Sequence, residues 1–164
     1  MLLLGILQGI LLAAVASIFL LLVRASQPNV AILGRVPGTG RYADSARNPD
    51  VEPLAGTIAF RPEASLLYIN AETVLDTVLA RVHATPDVKL VVCSLSSSPF
   101  IDLAGAKMLH DLHGELVSRG IAFQIVGARG HVRDVLQADG LAEKTDSANW
   151  TRRIDSLLGD LKPT

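Results

Sequence analysis

The chain has 164 residues, a formal net charge of −1 and a single cysteine, Cys93. This length suffices for one folded domain with appendages, and the balanced charge excludes the basic surface with which proteins attract nucleic acid. One cysteine excludes an intrachain disulfide framework and fits a reducing compartment. The mean hydropathy of +0.38 is high for a soluble domain, and the excess lies at the amino-terminal end.

Residues 2–23 (LLLGILQGILLAAVASIFLLLV) contain no charged side chain. A helix of this length reaches roughly 33 Å, enough to cross the hydrocarbon core of a bilayer. A signal peptide would have a basic start and a shorter apolar core, whereas the first basic residue here is Arg24. We therefore predict a membrane-spanning helix over residues 1–24. Arg24, Arg35 and Arg41 follow it, which favours an inner (plasma) membrane location with the rest of the chain in the cytoplasm.

Small residues recur every four positions along this segment, at Gly5, Gly9, Ala13 and Ser17. Such a stripe lets helix backbones approach closely in lipid, although glycine and alanine are also common in membrane helices generally. We expect this stripe to pack against other membrane helices.

Residues 25–50 are predicted to form a connector, with one short strand over residues 29–36 and then a loop rich in Pro, Gly and Asp. Its segment GRVPGTGR (34–41) is glycine-rich but lacks the Lys-Ser/Thr pair of a phosphate-binding P-loop. Two further strand candidates follow, TIAFR (57–61) and ASLLYIN (64–70).

Alternating helix and strand patterns occupy the rest of the chain. Residues 71–84 have a continuous apolar helical face, with Asn70 as a candidate N-cap. The remaining predictions are a buried strand over 88–95, a helix from Asp102 to Gly120, a strand over 121–128, and helices over 131–141 and 146–162. This order predicts an α/β fold with a mostly parallel or mixed sheet covered by helices.

The segment SSSPFIDLAG (96–105) joins a predicted strand to a predicted helix, with Asp102 at the junction. An Asp in this position caps the free N–H groups of the first turn, and a contact with a ligand or partner is the alternative. The hydroxyls of residues 96–98 could be modified, but a serine cluster in a loop usually forms only a turn.

Candidates for chemistry are weak elsewhere. His110 and His113 share a helix face, but no matched cysteines or carboxylates accompany them, so we expect surface histidines. Cys93 lies in a predicted buried strand without a basic neighbour and is expected to be a core residue. We expect no catalytic residue, no metal and no cofactor.

Several segments carry a resemblance to a known family. VKLVVCSLSSSPFIDLAG resembles the signature of STAS domains, which occur in anti-sigma factor antagonists and in the cytoplasmic tails of SulP sulfate permeases. GTIAFRPEASLLYINAETV resembles the segment typical of SulP tails, with matches at Arg61, Ala64, Leu66, Asn70 and Ala71. PNVAILGRVPGTGRYAD resembles the connector between the last membrane helix of a SulP transporter and its STAS domain.

The resemblance covers nearly the whole chain and implies its organisation. It implies a STAS-like mixed sheet with helices, preceded by one transmembrane helix: residues 1–24 as the membrane helix, 25–50 as the connector, 51–145 as the STAS domain and 146–164 as its C-terminal helix. It also implies a contact surface for a partner or ligand near the junction, at Ser97, Ser98, Pro99, Phe100 and Asp102.

Two departures from the family pattern bear on regulation. In anti-sigma factor antagonists the phosphorylated Ser or Thr directly follows the turn Asp, where this chain has Leu103 and Ala104. Many members also carry an Asp near the end of the preceding strand, where this chain has Ser94. Both departures disfavour a kinase-driven switch at the usual place.

The resulting hypothesis is a C-terminal fragment of a SulP-type sulfate or anion transporter, a split-gene product, or a tethered stand-alone STAS protein. A lone helix cannot enclose an anion path, so transport would require other membrane helices. The expected partners are the bilayer, the helices of a transporter core, a second protomer and a cytoplasmic regulatory protein. The alternative is a membrane-tethered signalling module that binds a cytoplasmic partner; an enzyme is a distant third.

Overall fold

The computed structural model describes the backbone of residues 2–160 and the side chains of residues 5–160. A five-stranded mixed sheet with helical cover follows a long apolar helix, which confirms the predicted α/β class. In chain order the elements are α1 (Leu2–Ser26), β1 (Val30–Arg35), β2 (Tyr42–Asp44), β3 (Thr57–Pro62), α2 (Ala71–Ala84), β4 (Leu90–Ser94), α3 (Leu103–Ser118), β5 (Ala122–Val126), α4 (Gly130–Ala138), two short 3-10 helices (Leu141–Glu143 and Ser147–Thr151) and α5 (Ile154–Asp160).

The strands lie in the order β2-β1-β3-β4-β5. β3, β4 and β5 are parallel, joined by α2 and α3, because parallel neighbours need a helical crossover. β1 is antiparallel to both of its neighbours, and Val30 at its start pairs with Pro62 at the end of β3. The carboxyl ends of the parallel strands therefore lie at the sheet edge where the chain enters from α1.

The two faces of the sheet bury different clusters. Phe60 and Cys93 point towards α2, α3 and α4 and belong to the larger core, which includes Trp150. The neighbouring residues Ala59 and Val92 point the other way, because successive strand side chains alternate between the faces. On that second face they pack with residues of α5.

The segment predicted as a connector contributes two strands to the sheet. β1 was expected, but β2 was predicted as loop, and this prediction was wrong. β2 has three residues, and Ala43 at its centre pairs with Gly34 of β1. So short an edge strand carries no periodicity of its own, and its pairing with β1 holds it in place.

The strand predicted over residues 64–70 does not form. Leu66 makes an isolated bridge to Ile101, through hydrogen bonds with the backbone of Phe100 and Asp102, and the chain then turns. Leu66 is fully buried, whereas Tyr68 and Ile69 are exposed. The apolar run therefore supplies one core anchor and an exposed turn instead of a buried strand.

The single C-terminal helix predicted over residues 146–164 is also wrong. A 3-10 helix ends at Thr151, α5 begins at Ile154, and residues 161–164, including Leu161, lie outside the described part of the chain. The carbonyls of Trp150 and Arg152 accept hydrogen bonds from the amides of Ala128 and Gly127, at 2.7 and 2.9 Å. Arg152 has an extended backbone and separates this 3-10 helix from α5, because its carbonyl bonds to Gly127 and not within a continuing helix.

Candidate functional site

Asp102 caps α3, as the sequence predicts. Its Oδ1 accepts a 2.8 Å hydrogen bond from the amide of Gly105, and its own backbone is extended, as an N-cap residue requires. The second carboxylate oxygen, Oδ2, accepts a 2.8 Å bond from the amide of Tyr68. One side chain therefore caps the helix and fastens the turn after β3 to it.

The serines of the preceding loop have different environments. Ser98 is fully buried, and its hydroxyl donates a 2.8 Å bond to the carbonyl of Ala64. Its predicted role as a contact residue on the surface therefore does not fit the structure, since the side chain holds the loop from inside. Ser97 is half-buried, Pro99 is exposed, and the exposed Ser96 lies with its hydroxyl 3.1 Å from that of Ser94.

Exposed apolar side chains surround Asp102. We call Tyr68, Ile69, Phe100 and Leu103 the Asp102 patch; they are 80%, 41%, 60% and 73% exposed. Phe100 was predicted as a contact residue, and its ring stands edge-on to that of His131. The other three were missed: two sit in the run predicted as a strand, and Leu103 is the first residue of α3. An apolar residue at the first helical position, outside the apolar stripe, was the available signal.

Asn70 connects this surface to the end of α1. It precedes α2 but does not cap it, contrary to the prediction. Its Oδ1 instead accepts from the amide of Leu67 at 2.9 Å, and its Nδ2 donates to the carbonyls of Ser65 and Ala25 at 3.0 and 3.4 Å. Ala25 belongs to the last turn of α1, so Ile69 of the Asp102 patch directly precedes the residue that contacts α1.

α1 has no cover within the described residues. The segment Gly5–Ser26 is long and apolar enough to cross a membrane, and the side chains from Gly5 to Ala25 are exposed. The positions of the small-residue stripe are therefore free of contacts from the domain, and its packing against other helices stays a prediction.

The other candidates are occupied by local contacts. Burial raises the pKa of the Cys93 thiol well above its ordinary range, which confirms an unreactive core cysteine. His110 lies 3.0 Å from a carboxylate oxygen of Asp139 and 2.6 Å from the Lys144 ammonium. His113 is half-buried against the Phe123 ring, and this burial lowers its pKa. Residues 5–160 contain no group of three or more metal-ligating side chains.

The family model of the STAS domain matches residues 48–154. The chain belongs to the STAS domain family. Its STAS domain is also homologous to those of sulfate transporters. A probable sulfate transporter of Mycobacterium tuberculosis is 32% identical over 142 residues, which cover 86% of this chain and 25% of that protein. Low affinity sulfate transporter 3 of Stylosanthes hamata is 29% identical, over 83% of this chain and 23% of that protein.

Solved structures share the fold. The murine solute carrier 26 member A9 anion transporter in its inward-facing state matches 92% of this chain with a TM-score of 0.77 and 19% identity, over 25% of that chain. A putative anti-sigma factor antagonist of Thermotoga maritima matches 68% of this chain with a TM-score of 0.58 and 17% identity, over 92% of that chain. The chain thus spans about a quarter of the length of the curated sulfate transporters above. The STAS family gives a coarse indication of a non-enzymatic domain.

Proposed function

We propose that this chain is the last membrane helix and the cytoplasmic STAS domain of a SulP-type sulfate or anion transporter. The similarity to the probable sulfate transporter of Mycobacterium tuberculosis covers 86% of this chain, which is more than the STAS family match over residues 48–154. The STAS domain supports or regulates transport by contacting the helices of the transport bundle and a second protomer. The transport path lies in those other helices.

The observation that carries this proposal is the position of the Asp102 patch. The patch exposes four large apolar side chains, and through Asn70 it adjoins the last turn of α1. If α1 spans the membrane, this surface faces the cytoplasmic ends of neighbouring membrane helices. Apolar side chains exposed together mark interaction sites more often than scattered single residues do.

The test is site-specific photo-crosslinking of the full chain in its native host. A photoreactive residue at Leu103 is expected to crosslink to a large polytopic membrane protein. The same residue at Gly114 is the matched control, because Gly114 lies on the same helix and a Cβ added there would meet no atom within 4 Å. Crosslinks from Leu103 to soluble regulatory proteins alone would reject the transporter proposal in favour of a membrane-tethered signalling module.

The small-residue stripe gives an independent readout. Gly9→Leu places a large side chain where close helix approach is expected, so co-purification of the polytopic partner should be lost. Leu11→Ala, about 200° further around α1, should leave co-purification unchanged. Equal recovery with both variants would remove the stripe from the proposed interface.

A further inference from the structure

A cavity lies on the opposite face of the sheet from α2 and α3. Its volume is about 340 Å³, and it opens between the ends of β3 and β4, β2 and the start of α5. Its polar lining consists of three guanidinium groups, one carboxylate, two serine hydroxyls and one phenol: Arg41, Arg61, Arg153, Asp155, Ser94, Ser96 and Tyr42. None of these groups belongs to the Asp102 patch.

Two serine hydroxyls line this cavity at the end of β4. Ser94, the last residue of β4, is 1% exposed, and its hydroxyl lies 3.1 Å from that of Ser96. Gly127 allows the loop to approach β5, because its φ is +69° and a Cβ there would lie 3.2 Å from Ser96. Two hydroxyl groups are thus gathered beside the carboxyl ends of parallel strands, where open α/β sheets bind their ligands.

The arginines retain hydrogen-bonding capacity. Arg61 contacts Glu63 through Nε and Nη2, at 2.7 and 2.6 Å, which leaves the Nη1 side of its guanidinium uncommitted. Arg153 is 86% exposed and holds Asp155 by one contact of 3.3 Å. Arg41 makes no ion pair among the described residues. The lining carries three positive charges and one negative charge, and Glu63 beside Arg61 adds a second negative charge next to the cavity. A net positive charge remains, with the planar donors that suit oxyanions.

We propose that this cavity binds a doubly charged tetrahedral oxyanion, inorganic sulfate or phosphate. Arg61 and Arg153 hold the anion through charge-assisted hydrogen bonds, and the Ser94–Ser96 pair donates one O–H from the sheet side, since its other proton lies within the pair. The same chemistry would recognise a lipid phosphate headgroup. A lipid is a candidate source because β3, which lines the cavity, ends beside the first residue of β1, and β1 begins shortly after the end of α1. The site stands on the cavity alone and does not depend on the docking role of the Asp102 patch.

The experiment titrates the full chain in a neutral detergent with sodium sulfate or phosphate, against sodium chloride at equal ionic strength, and follows unfolding. A bound oxyanion raises the unfolding temperature with saturation. Sulfate also stabilises proteins in general, without saturation, by exclusion from their surface. A saturable shift with sulfate or phosphate and none with chloride supports the site, while an unsaturated rise shared by all variants overturns it.

Variants locate the binding. Arg153→Gln, at an exposed side chain that folding does not need, and Arg61→Gln should each weaken sulfate binding about tenfold. Arg47→Gln is the matched control, because Arg47 is 79% exposed and forms an ion pair with Asp44 outside the cavity. Equal weakening by Arg47→Gln, or full affinity in Arg153→Gln and Arg61→Gln, would overturn the proposal.

Competition separates the two sources of the anion. Short-chain phosphatidic acid is added to the sulfate-loaded chain, with short-chain phosphatidylcholine as the control. Displacement by phosphatidic acid alone assigns the site to lipid phosphate, whereas retention of sulfate against both lipids assigns it to the free anion. Displacement by both lipids, without dependence on Arg61, would count against an oxyanion site.

Discussion

The carboxylate of Asp102 accepts a hydrogen bond from the amide of Tyr68, 34 positions earlier in the chain, at 2.8 Å. The other oxygen of the same carboxylate caps α3. Asp102 therefore joins the turn after β3 to the start of the helix that follows β4. Through this link the exposed residues of the turn and those of α3 form one surface next to the end of α1.

Replacing Asp102 should destabilise the domain. Asp102→Ala removes both hydrogen bonds and should lower the free energy of unfolding by about 1–2 kcal/mol. Urea unfolding followed by the fluorescence of Trp150, the single tryptophan, measures this loss. Asp111→Ala, which removes an exposed ion pair with Lys107 further along α3, should change stability by less than about 0.5 kcal/mol. Equal effects of the two variants would refute the capping role.

Asn70 should matter for stability in the same way. Asn70→Ala leaves the amide of Leu67 and the carbonyl of Ser65 without their partner at a position that is 3% exposed. We expect a loss of about 1–3 kcal/mol in the same unfolding measurement. Asn48→Ala, which removes one part-buried bond from an exposed side chain to the carbonyl of Asp44, should cost clearly less. A stable Asn70→Ala variant would show that the turn holds its shape without this side chain.

Two glycines of α3 should respond to alanine with opposite signs. A Cβ on Gly105 would lie 2.5 Å from the carbonyl oxygen of Leu66 and 2.9 Å from Ile101, so Gly105→Ala should destabilise by about 1–3 kcal/mol. Gly114 has open space around the same position, so Gly114→Ala should stabilise by about 0.5–1 kcal/mol through helix propensity. Thermal unfolding of both variants checks the contrast, and a shared sign would contradict it.

The domain should lose stability on mild acidification through His113. Burial lowers the pKa of His113, with smaller effects from the neighbouring Lys144 and His110. The unfolded chain binds a proton near the ordinary histidine pKa of about 6.5, whereas the folded chain binds it only at lower pH. As the pH falls from the unfolded-state pKa to the lower folded-state pKa of His113, the unfolded state binds more protons than the folded state. The stability present at higher pH is therefore lost over this interval.

The measurement compares urea midpoints at two pH values, one above and one below the ordinary histidine pKa. His113→Gln should flatten the pH dependence, whereas His83→Gln, on an exposed part of α2, controls for the removal of any histidine. An unchanged pH dependence in His113→Gln would assign the effect to other groups.

The sequence alone determined the elements whose signals are local. The uncharged run of α1, the apolar face of α2 and the buried strand β4 each follow from periodicity and length within a few turns of chain. The capping role of Asp102 was equally readable, because a cap acts within its own helix turn.

The tertiary structure decided what depends on distant partners. β2 forms because it pairs with the edge strand β1. The last predicted helix is interrupted because the amides of Gly127 and Ala128, just after β5, bond to the carbonyls of Arg152 and Trp150. Asn70 leaves its expected capping role for bonds to Ser65 and Ala25. The cavity lined by Arg41, Arg61 and Arg153 joins residues from five separate segments, so no local sequence pattern contains it. Its charges are brought together by the register of the sheet, which only the packed chain defines.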